Sequence, residues 1–391
     1  MSGAERFDAD IVTRRSVDEL RAHAKARGRR LRRRRRLLGA GLVTAAVLGA
    51  AGTVALAHNG GDRPAVHAGA GSTVSTPPAP VLSQRVAFVR LYDEGDAGSA
   101  ILVFDPIGRD VRHVSTDRSW NDGSPAFSPD GAWIAFQSER DNPLRGIKRV
   151  TDIYVMRPDG SDVRRVTTTV DAGAGNGVRH PGWSPDGSSL VVAREDASDN
   201  SQIMVLRPDG GDARVISDGP GDVGPVWSPT GEWIAFRRRP APSHEDLWVV
   251  RPDGSDAHKV HGPIHASPIA WTPDGTSLTF SADVGDGAIG LYTVRLDGSG
   301  VRHLAGPERG EAVSPVWSAD GTLLVYSEDP DRRYLVSGDG TQHESDGREP
   351  GRLVVRTASG DSVSVLTEPR GGERDYSPSL EPHPQGFVAG S

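Results

Sequence analysis

The sequence predicts an all-β domain made of repeated four-stranded sheets, and two observations lead to this fold class. A hairpin spelled Pro-x-Trp-Ser-Pro-Asp-Gly, followed by an Ile-Ala-Phe-type strand, recurs along the chain. Its anchor positions lie 44 to 56 residues apart, which brackets the length of one propeller blade. A second hairpin lies between successive anchors, so each repeat supplies four strands. The anchors are Phe127, Trp183, Trp227, Trp271 and Trp317.

Both hairpin types carry the residues that tight turns require. Proline presets φ, aspartate bonds to nearby backbone, and glycine takes the positive φ that hairpin loops need. Apolar runs such as residues 153–156 flank these turns, as expected of strands with buried faces. The predicted turn residues are Asp130, Gly131, Asp186, Gly187, Asp159, Gly160, Asp209, Gly210, Asp253 and Gly254.

The repeat count and the two ends of the repeat region predict a closed ring. Six second hairpins are present when the degenerate copies at residues 100–115 and 352–367 are included. The first copy lacks its upstream element, and the missing piece stands at residues 377–382, with Leu380 as the sixth anchor. A C-terminal strand in the first sheet would remove two open edges. We therefore expect a six-bladed β-propeller over residues 83–391, closed by a strand near 377–390, with the tryptophans packing between blades.

The repeated motifs resemble those of the TolB-like β-propeller family, whose WD-repeat-like blades carry the same Trp-Ser-Pro-Asp-Gly signature. The resemblance covers about residues 84–390 and departs from the motif at Thr230 and Ala319. It implies a propeller that serves as an interaction module. The α/β domain that precedes the propeller of TolB itself has no counterpart here, so a role in the Tol envelope system does not carry over.

A membrane segment is predicted before the propeller. Residues 37–57 contain no charge and would span about 30 Å as a helix. Residues 1–36 hold 13 Lys/Arg against 5 Asp/Glu, and the positive-inside rule places them in the cytoplasm. Residues 58–82 are rich in Gly, Ala, Pro, Ser and Thr and predict a flexible linker. We expect a single-pass plasma-membrane protein with an extracytoplasmic propeller.

Alternatives stay open for the N-terminal region. The stretch Ala55-Leu56-Ala57 resembles a signal-peptidase site, so residues 37–57 could instead be cleaved as a signal peptide. The segment that begins at Ser16 is typical of a short capped helix, with Glu19 at the capping-box position. This helix could contact anionic lipid or dock a cytoplasmic partner.

Composition and motifs exclude several classes of site. The chain has no cysteine, which excludes disulfides and thiolate metal sites. Outside residues 1–36 the chain is acidic, so we expect no nucleic-acid partner. The sequence lacks the Gly-x-Ser-x-Gly nucleophile motif of peptidases with a propeller. His258, His261 and His265 are interpreted as a loop cluster too weak to define a metal site, so no catalytic, metal or cofactor residue is predicted.

Two surfaces remain as candidates for function, and three hypotheses compete. The tract 329–351 is longer than the linkers of other repeats and could be a binding loop or a solvated excursion. The run Arg237-Arg238-Arg239 is interpreted as a solvated strand end. The first hypothesis is a binding module for a protein, a peptide or an envelope polymer. The second is a transmembrane sensor that signals through residues 1–36, and the third is a pore-site lyase or hydrolase.

Overall fold

A computed structural model of the chain places twenty-six β-strands among its described residues, from Val86 to Leu380. All described residues lie within one compact part of the chain, Pro77–Ser391. The predicted segments 1–36 and 37–57, and the linker 58–82 except for Leu82, lie outside the described residues. In the part of the chain that the structure describes, no helix is long and apolar enough to cross a membrane. The described residues are 82–92, 98–115, 120–142, 150–168, 177–195, 200–219, 221–241, 244–285, 288–307, 310–330, 334–336, 342–344, 351–369 and 373–382.

The strands form a propeller-like arrangement of four-stranded antiparallel units. Unit 1 has the order β26-β1-β2-β3, with β1 Val86–Tyr92, β2 Ser99–Asp105, β3 Asp110–His113 and β26 Glu373–Leu380. Unit 2 contains β4 Gly123–Phe127, β5 Ile134–Ser138, β6 Asp152–Met156 and β7 Arg164–Arg165. Unit 3 contains β8 Gly177–Trp183, β9 Leu190–Glu195, β10 Ser201–Leu206 and β11 Arg214–Val215.

The remaining strands form three further groups. Unit 4 contains β12 Asp222–Trp227, β13 Ile234–Ala241, β14 His244–Val250 and β15 His258–Ile264. Unit 5 contains β16 Ala270–Trp271, β17 Ser277–Gly285, β18 Ala288–Arg295 and β19 Arg302–Ala305. Unit 6 contains β20 Glu311–Trp317, β21 Leu323–Asp329, β24 Arg352–Thr357 and β25 Val363–Val365. A separate hairpin, β22 Tyr334–Val336 and β23 Gln342–Glu344, lies in the tract 329–351.

Units 5 and 6 are joined into one eight-stranded sheet by a single parallel bridge between Ile289 and Glu311. A similar parallel bridge joins Thr151 of unit 2 to Gly177 of unit 3. Each bridge joins the start of the third strand of one unit to the start of the first strand of the next. Each unit otherwise pairs only within itself in the described residues.

The hydrophobic core lies between neighbouring units, because a sheet buried on both faces needs a partner on each side. Phe136 of unit 2 packs with Ile101 of unit 1, and Phe236 of unit 4 packs in the cluster that contains Ile203 of unit 3. The same relation continues around the domain. A cluster that contains Phe88 of unit 1 and Leu353 of unit 6 completes the cycle. Apolar contacts therefore run through all the units and return to the first.

Buried aspartates fix three of the crossovers between units. Asp122, Asp222 and Asp375 have no exposed surface. Each carboxylate is paired with an arginine of its own unit at N–O distances of 2.6 to 3.1 Å, in the pairs Asp122–Arg140, Asp222–Arg238 and Asp375–Arg90. Burial raises the pKa of each carboxyl, and a hydroxyl from the end of the preceding unit opposes this rise, from Ser115, Ser217 and Thr367 respectively. One carboxylate thus ties two units together.

The last strand closes the first unit. Strand β26 pairs antiparallel with β1 from Val86↔Leu380 to Tyr92↔Glu373. It begins before residue 377, where the sequence places the closing strand, and residues 383–391 lie outside the described part. Arg85 forms an ion pair with Glu381, and the hydroxyl of Ser327 donates to the carbonyl of Asp375 at 2.7 Å. The C-terminal strand thus contacts both unit 1 and unit 6.

Removing one crossover carboxylate should destabilise the domain strongly. In Asp222→Ala, the Arg238 guanidinium loses its buried partner, and we expect the free energy of unfolding to fall by about 3 kcal/mol. Urea unfolding followed by circular dichroism measures the change. The matched control is Asp218→Ala, because Asp218 lies 3.5 Å from the same guanidinium but its side chain is 95% exposed. The control should leave the unfolding midpoint unchanged. Equal losses in both variants would contradict the role of burial.

Candidate functional site

The inner strands of the units converge on one apolar cavity of about 340 Å³, here called the axial cavity. Every unit contributes a proline that stands two residues before its anchor, or three residues before it in unit 5, so the wall repeats the same apolar group. The indole rings of four predicted anchors complete this wall. The prolines are Pro125, Pro181, Pro225, Pro268, Pro315 and Pro378, and the indoles are Trp183, Trp227, Trp271 and Trp317.

The anchor residues also connect neighbouring units. The Nε1 of Trp183 donates to the carbonyl of Ala126, and the Nε1 of Trp271 donates to the carbonyl of Val226, both at 3.1 Å. The Nε1 of Trp317 donates to the Thr279 hydroxyl at 2.8 Å. These bonds each cross from one unit to the preceding one. The other three anchors take the same place at strand ends and pack in inter-unit clusters: Phe127 in β4, Trp227 in β12 and Leu380 in β26. The Nε1 of Trp227 is buried without a partner among the described residues.

The predicted turn residues lie in hairpin turns outside the axial cavity. In the inner hairpins, Asp130 and Asp186 accept from the serine two residues before and from the backbone two residues after. The bond from Ser184 lowers the pKa of Asp186. In the outer hairpins, Asp159, Asp209 and Asp253 accept the same backbone bond. The following glycines all have positive φ, at Gly131, Gly187, Gly160, Gly210 and Gly254.

The same backbone distortion recurs in several units at the wall of the cavities. In five of the units, the residue directly before the repeated proline has φ between 49° and 59°, which is the left-handed region. The register of the inner strand shifts at the same place, as in a β-bulge. Four of these residues carry side chains, and strained positions of this kind are typical of ligand sites. The five residues are Ser124, His180, Gly224, Ser314 and Ser377.

A second, polar cavity of about 640 Å³ adjoins the axial cavity and shares part of its wall. Glu311 and Asp329 face each other across the β20–β21 ladder, and both are buried in the wall of unit 6. Arg237 of unit 4 lies in the wall of both cavities. This second cavity is called the polar mouth. Its acidic and basic groups come from different units, which suits a ligand with a polar end and an apolar body.

Arg237 corrects one prediction. The run 237–239 was expected to be a solvated strand end, but Arg237 is only 4% exposed and pairs with Glu245. Burial lowers the pKa of Arg237 from its ordinary value, while Glu245 opposes this effect. The run lies on β13, whose partner strands cover the first of its arginines. Sequence offered no signal for this, because Glu245 is on another strand and its partner is fixed only by register.

His180 is the second cavity residue that sequence reasoning missed. Its backbone N–H donates to Oε1 of Gln137 at 3.1 Å, and its Nδ1 is buried without a protein partner in the described residues. Burial, followed by the nearby charges of Arg237, Arg179 and Arg239, lowers the pKa of His180 to about 3. The sequence signal that could have identified His180 is its position directly before Pro181. In five units the residue before this proline has a positive φ.

The three histidines interpreted as a loop cluster lie on or beside a strand. His258 and His261 belong to β15, and His265 follows it. His258 is exposed and His261 packs on Phe280 with ring centroids 5.2 Å apart, so the strand separates them. Within the described residues, no group of three or more His, Asp or Glu side chains is placed to hold a metal ion. In tract 329–351, the described hairpin β22–β23 is paired, and most other residues lie outside the described part.

Comparison with protein families and solved structures gives one consistent result. The model of the TolB beta propeller domain matches residues 59–263, which is more than half of the chain. The crystal structure of TolB from Acinetobacter baumannii is similar over 78% of this chain and 68% of that one, with a TM-score of 0.59 and 17% identity. A structure assigned as TolB from Agrobacterium tumefaciens is similar over 77% of this chain and all of that one, with a TM-score of 0.53 and 18% identity.

Curated relatives are similar over shorter stretches. The uncharacterised protein Atu1656 of Agrobacterium fabrum is 34% identical over 105 residues, which are 25% of this chain and 31% of that protein. The uncharacterised peptidase YuxL of Bacillus subtilis is 35% identical over 68 residues, which are 17% of this chain and 9% of that protein. The chain thus spans about a third of one relative's length and about a tenth of the other's.

The depressed pKa of His180 predicts a specific pH dependence. In the unfolded chain this histidine binds a proton near pH 6.5, whereas in the folded domain it does so only near pH 3. Stability from the neutral ring is therefore complete above pH 6.5 and is lost progressively as the pH falls toward 3. We expect His180→Asn, which tolerates the same positive φ, to lose less stability than the wild type between pH 7.5 and 4.5. Urea unfolding at both pH values tests this, and parallel losses would contradict it.

Proposed function

Because the chain belongs to the TolB beta propeller family, we propose that it is a binding module rather than an enzyme, and that its axial cavity receives part of a protein, a peptide or an envelope polymer. One observation carries this proposal. Every unit presents a proline at or just before its inner strand to a single cavity, and that cavity adjoins the polar mouth, which is lined by groups of both charges. An apolar groove with a few placed polar groups is the usual form of a ligand site.

We further propose that the units form a six-bladed closed ring. The eight-stranded sheet is joined by only one bridge, so its two halves count as two blades. The cycle of apolar clusters and the pairing of β26 with β1 support closure. A ring of this kind leaves only short, protected edges. Its axis is then the one place that every blade reaches, which favours the axial cavity as the binding site.

We also propose that the propeller is tethered to the outer face of the plasma membrane. The charge-free stretch 37–57 and the basic residues before it support a single-pass anchor with a cytoplasmic N-terminus. The ligand would then come from the cell envelope.

Filling the axial cavity should abolish ligand capture without unfolding the domain. Ala126 lines the cavity, so Ala126→Trp places a large ring there. Tagged full-length wild type and variant are incubated with envelope extract, and the retained molecules are identified by mass spectrometry. We expect at least one partner on the wild type that is depleted about 10-fold or more on the variant.

The matched control adds the same ring to the outer surface. Ile107 is 90% exposed in the turn between β2 and β3, so Ile107→Trp leaves the cavity unchanged. This variant should retain the partner as the wild type does. Circular dichroism melts check that both variants are folded. If cavity filling leaves every captured molecule in place, the axial cavity is not the binding site.

The proposed topology predicts the activity of reporter fusions. Alkaline phosphatase fused after Ser391 should be active, because this enzyme works only after export, and the same enzyme fused before Met1 should be inactive. Deleting residues 37–57 should abolish the activity of the first fusion. Immunoblots of cell fractions report whether the chain stays in the membrane. A shortened, released product would instead support cleavage after Ala57.

A further inference from the structure

One position on the second strand of each unit faces the neighbouring inner strands, and Arg237 is its only charged occupant. The equivalent residues are Val89, Gln137, Ala193, Arg237, Ser281 and Ser327, each directly after the buried residue that packs on the preceding unit. Gln137 accepts from the backbone of His180, and Ser327 donates to the backbone of Asp375. These two side chains hold an inner strand in place. Arg237 forms no such bond and instead lines both cavities.

The guanidinium of Arg237 has one edge in use and one edge available. Its Nη1 donates to Glu245, and that carboxylate is shared with Arg239 through a 2.5 Å bond. Its Nε is buried and has no protein partner in the described part of the chain. In Arg90 and Arg238, the edge formed by Nε and Nη2 binds an aspartate through two bonds. Arg237 presents this same edge without an aspartate.

Gly224 lies directly against this edge. A Cβ at Gly224 would lie 3.0 Å from Nη2 and 3.2 Å from Nε of Arg237. Its φ of 59° matches the φ of the serines at the equivalent positions, Ser124, Ser314 and Ser377. The fold therefore accepts a side chain at this position in other units. Glycine stands only beside the buried arginine, where a side chain would cover the guanidinium edge.

The surrounding charge is unbalanced toward positive. Three arginines lie near His180, namely Arg237, Arg179 and Arg239. Two carboxylates oppose them, since Glu195 pairs with Arg179 and Glu245 is shared by the other two. His180 contributes no charge near neutral pH. Glu311 and Asp329 also line the polar mouth. Beside His180, however, the arginines outnumber the carboxylates by one, and a buried guanidinium with unpartnered donors favours an anionic group.

We propose that the Nε–Nη2 edge of Arg237, framed by Gly224 and His180, binds a carboxylate of a peptide segment that occupies the axial cavity. This inference rests on the proposed function and adds the chemistry of its ligand. A planar carboxylate matches the two parallel donors of a guanidinium edge. The proline and indole rings next to it suit the apolar side chains of a peptide.

Matched peptides test the proposal on the full-length protein. Three arrays of ten-residue peptides share their core sequences: one has free C-terminal carboxylates, one has C-terminal amides, and one has amides with a single internal Asp or Glu. Fluorescence anisotropy gives Kd for each bound peptide. We expect a carboxylate-bearing peptide to bind about 10-fold more tightly than its neutral match. The arrays distinguish a terminal from a side-chain carboxylate.

Two variants should remove this preference, and each should also lower the free energy of unfolding, because a side chain at 224 crowds Nη2 and loss of Arg237 leaves Glu245 without one buried partner. Gly224→Ser covers the guanidinium edge with a side chain that the repeat accepts elsewhere, and Arg237→Gln removes the charge. Both should reduce the ratio of the two Kd values to about one. The controls Gly231→Ser and Arg112→Gln change a turn glycine of positive φ and an exposed arginine outside the axial cavity, and should keep the ratio. Circular dichroism melts verify folding.

Several results would overturn the inference. Equal binding of acidic and neutral peptides would show that no carboxylate is recognised, while the proposed binding role would stand. A preference that survives in both variants would place the carboxylate elsewhere. Tighter binding of phosphorylated peptides than of carboxylate peptides would change the anion. If no peptide binds, yet Ala126→Trp still abolishes capture from envelope extract, the cavity binds another class of ligand.

Discussion

The domain depends on the contact between its first and last strands. Each unit buries both sheet faces against neighbours, so an open end would leave one apolar face of unit 1 and one of unit 6 in water. Strand β26 prevents this by pairing with β1, and its Asp375 bonds Arg90 in unit 1 while its carbonyl accepts from Ser327 in unit 6. A single carboxylate residue thus joins the two ends of the chain.

Closure also determines the shape of the candidate site. When the units are held side by side, their inner strands must approach one another, and bulky side chains cannot all point inward. In five units a bulge before the proline relieves this crowding by turning the strand, and a short residue such as Ser124 or Ser314 lines the cavity there. The cavity is therefore a direct consequence of how the units are packed. Its chemistry is set by the few positions where the repeat changes.

The sequence was sufficient for the parts of the fold that are fixed by local chemistry. Turn residues such as Asp186 and Gly187 are recognisable because each acts on backbone within two residues. The anchor Trp271 is recognisable by its spacing. The exchange of the missing inner strand to the C-terminus was also visible, although its bounds were shifted. In these cases the pattern and the physical cause lie in the same short segment.

The polar parts of the candidate site could not be predicted in the same way. Arg237 resembles an exposed residue in the sequence, because its burial depends on Glu245 across a ladder and on the inner strand of the same unit. Asp222 resembles a loop residue until the hydroxyl of Ser217 from the preceding unit is placed beside it. The histidines of β15 were misplaced because the strand carries few apolar residues to mark its period.

A repeat protein can gain a specific site only where one copy departs from the others. If every unit carried serine before its proline and a small residue after its buried aromatic, the cavity would have nearly the same wall on all sides and would not orient a ligand. Unit 4 departs twice in adjacent positions, with glycine at 224 and arginine at 237, and these residues face each other across β12 and β13. Either change alone would be costly, since glycine without arginine leaves a void and arginine beside serine is crowded. This pair of residues makes one side of the axial cavity differ from the others, so that a bound ligand would be oriented.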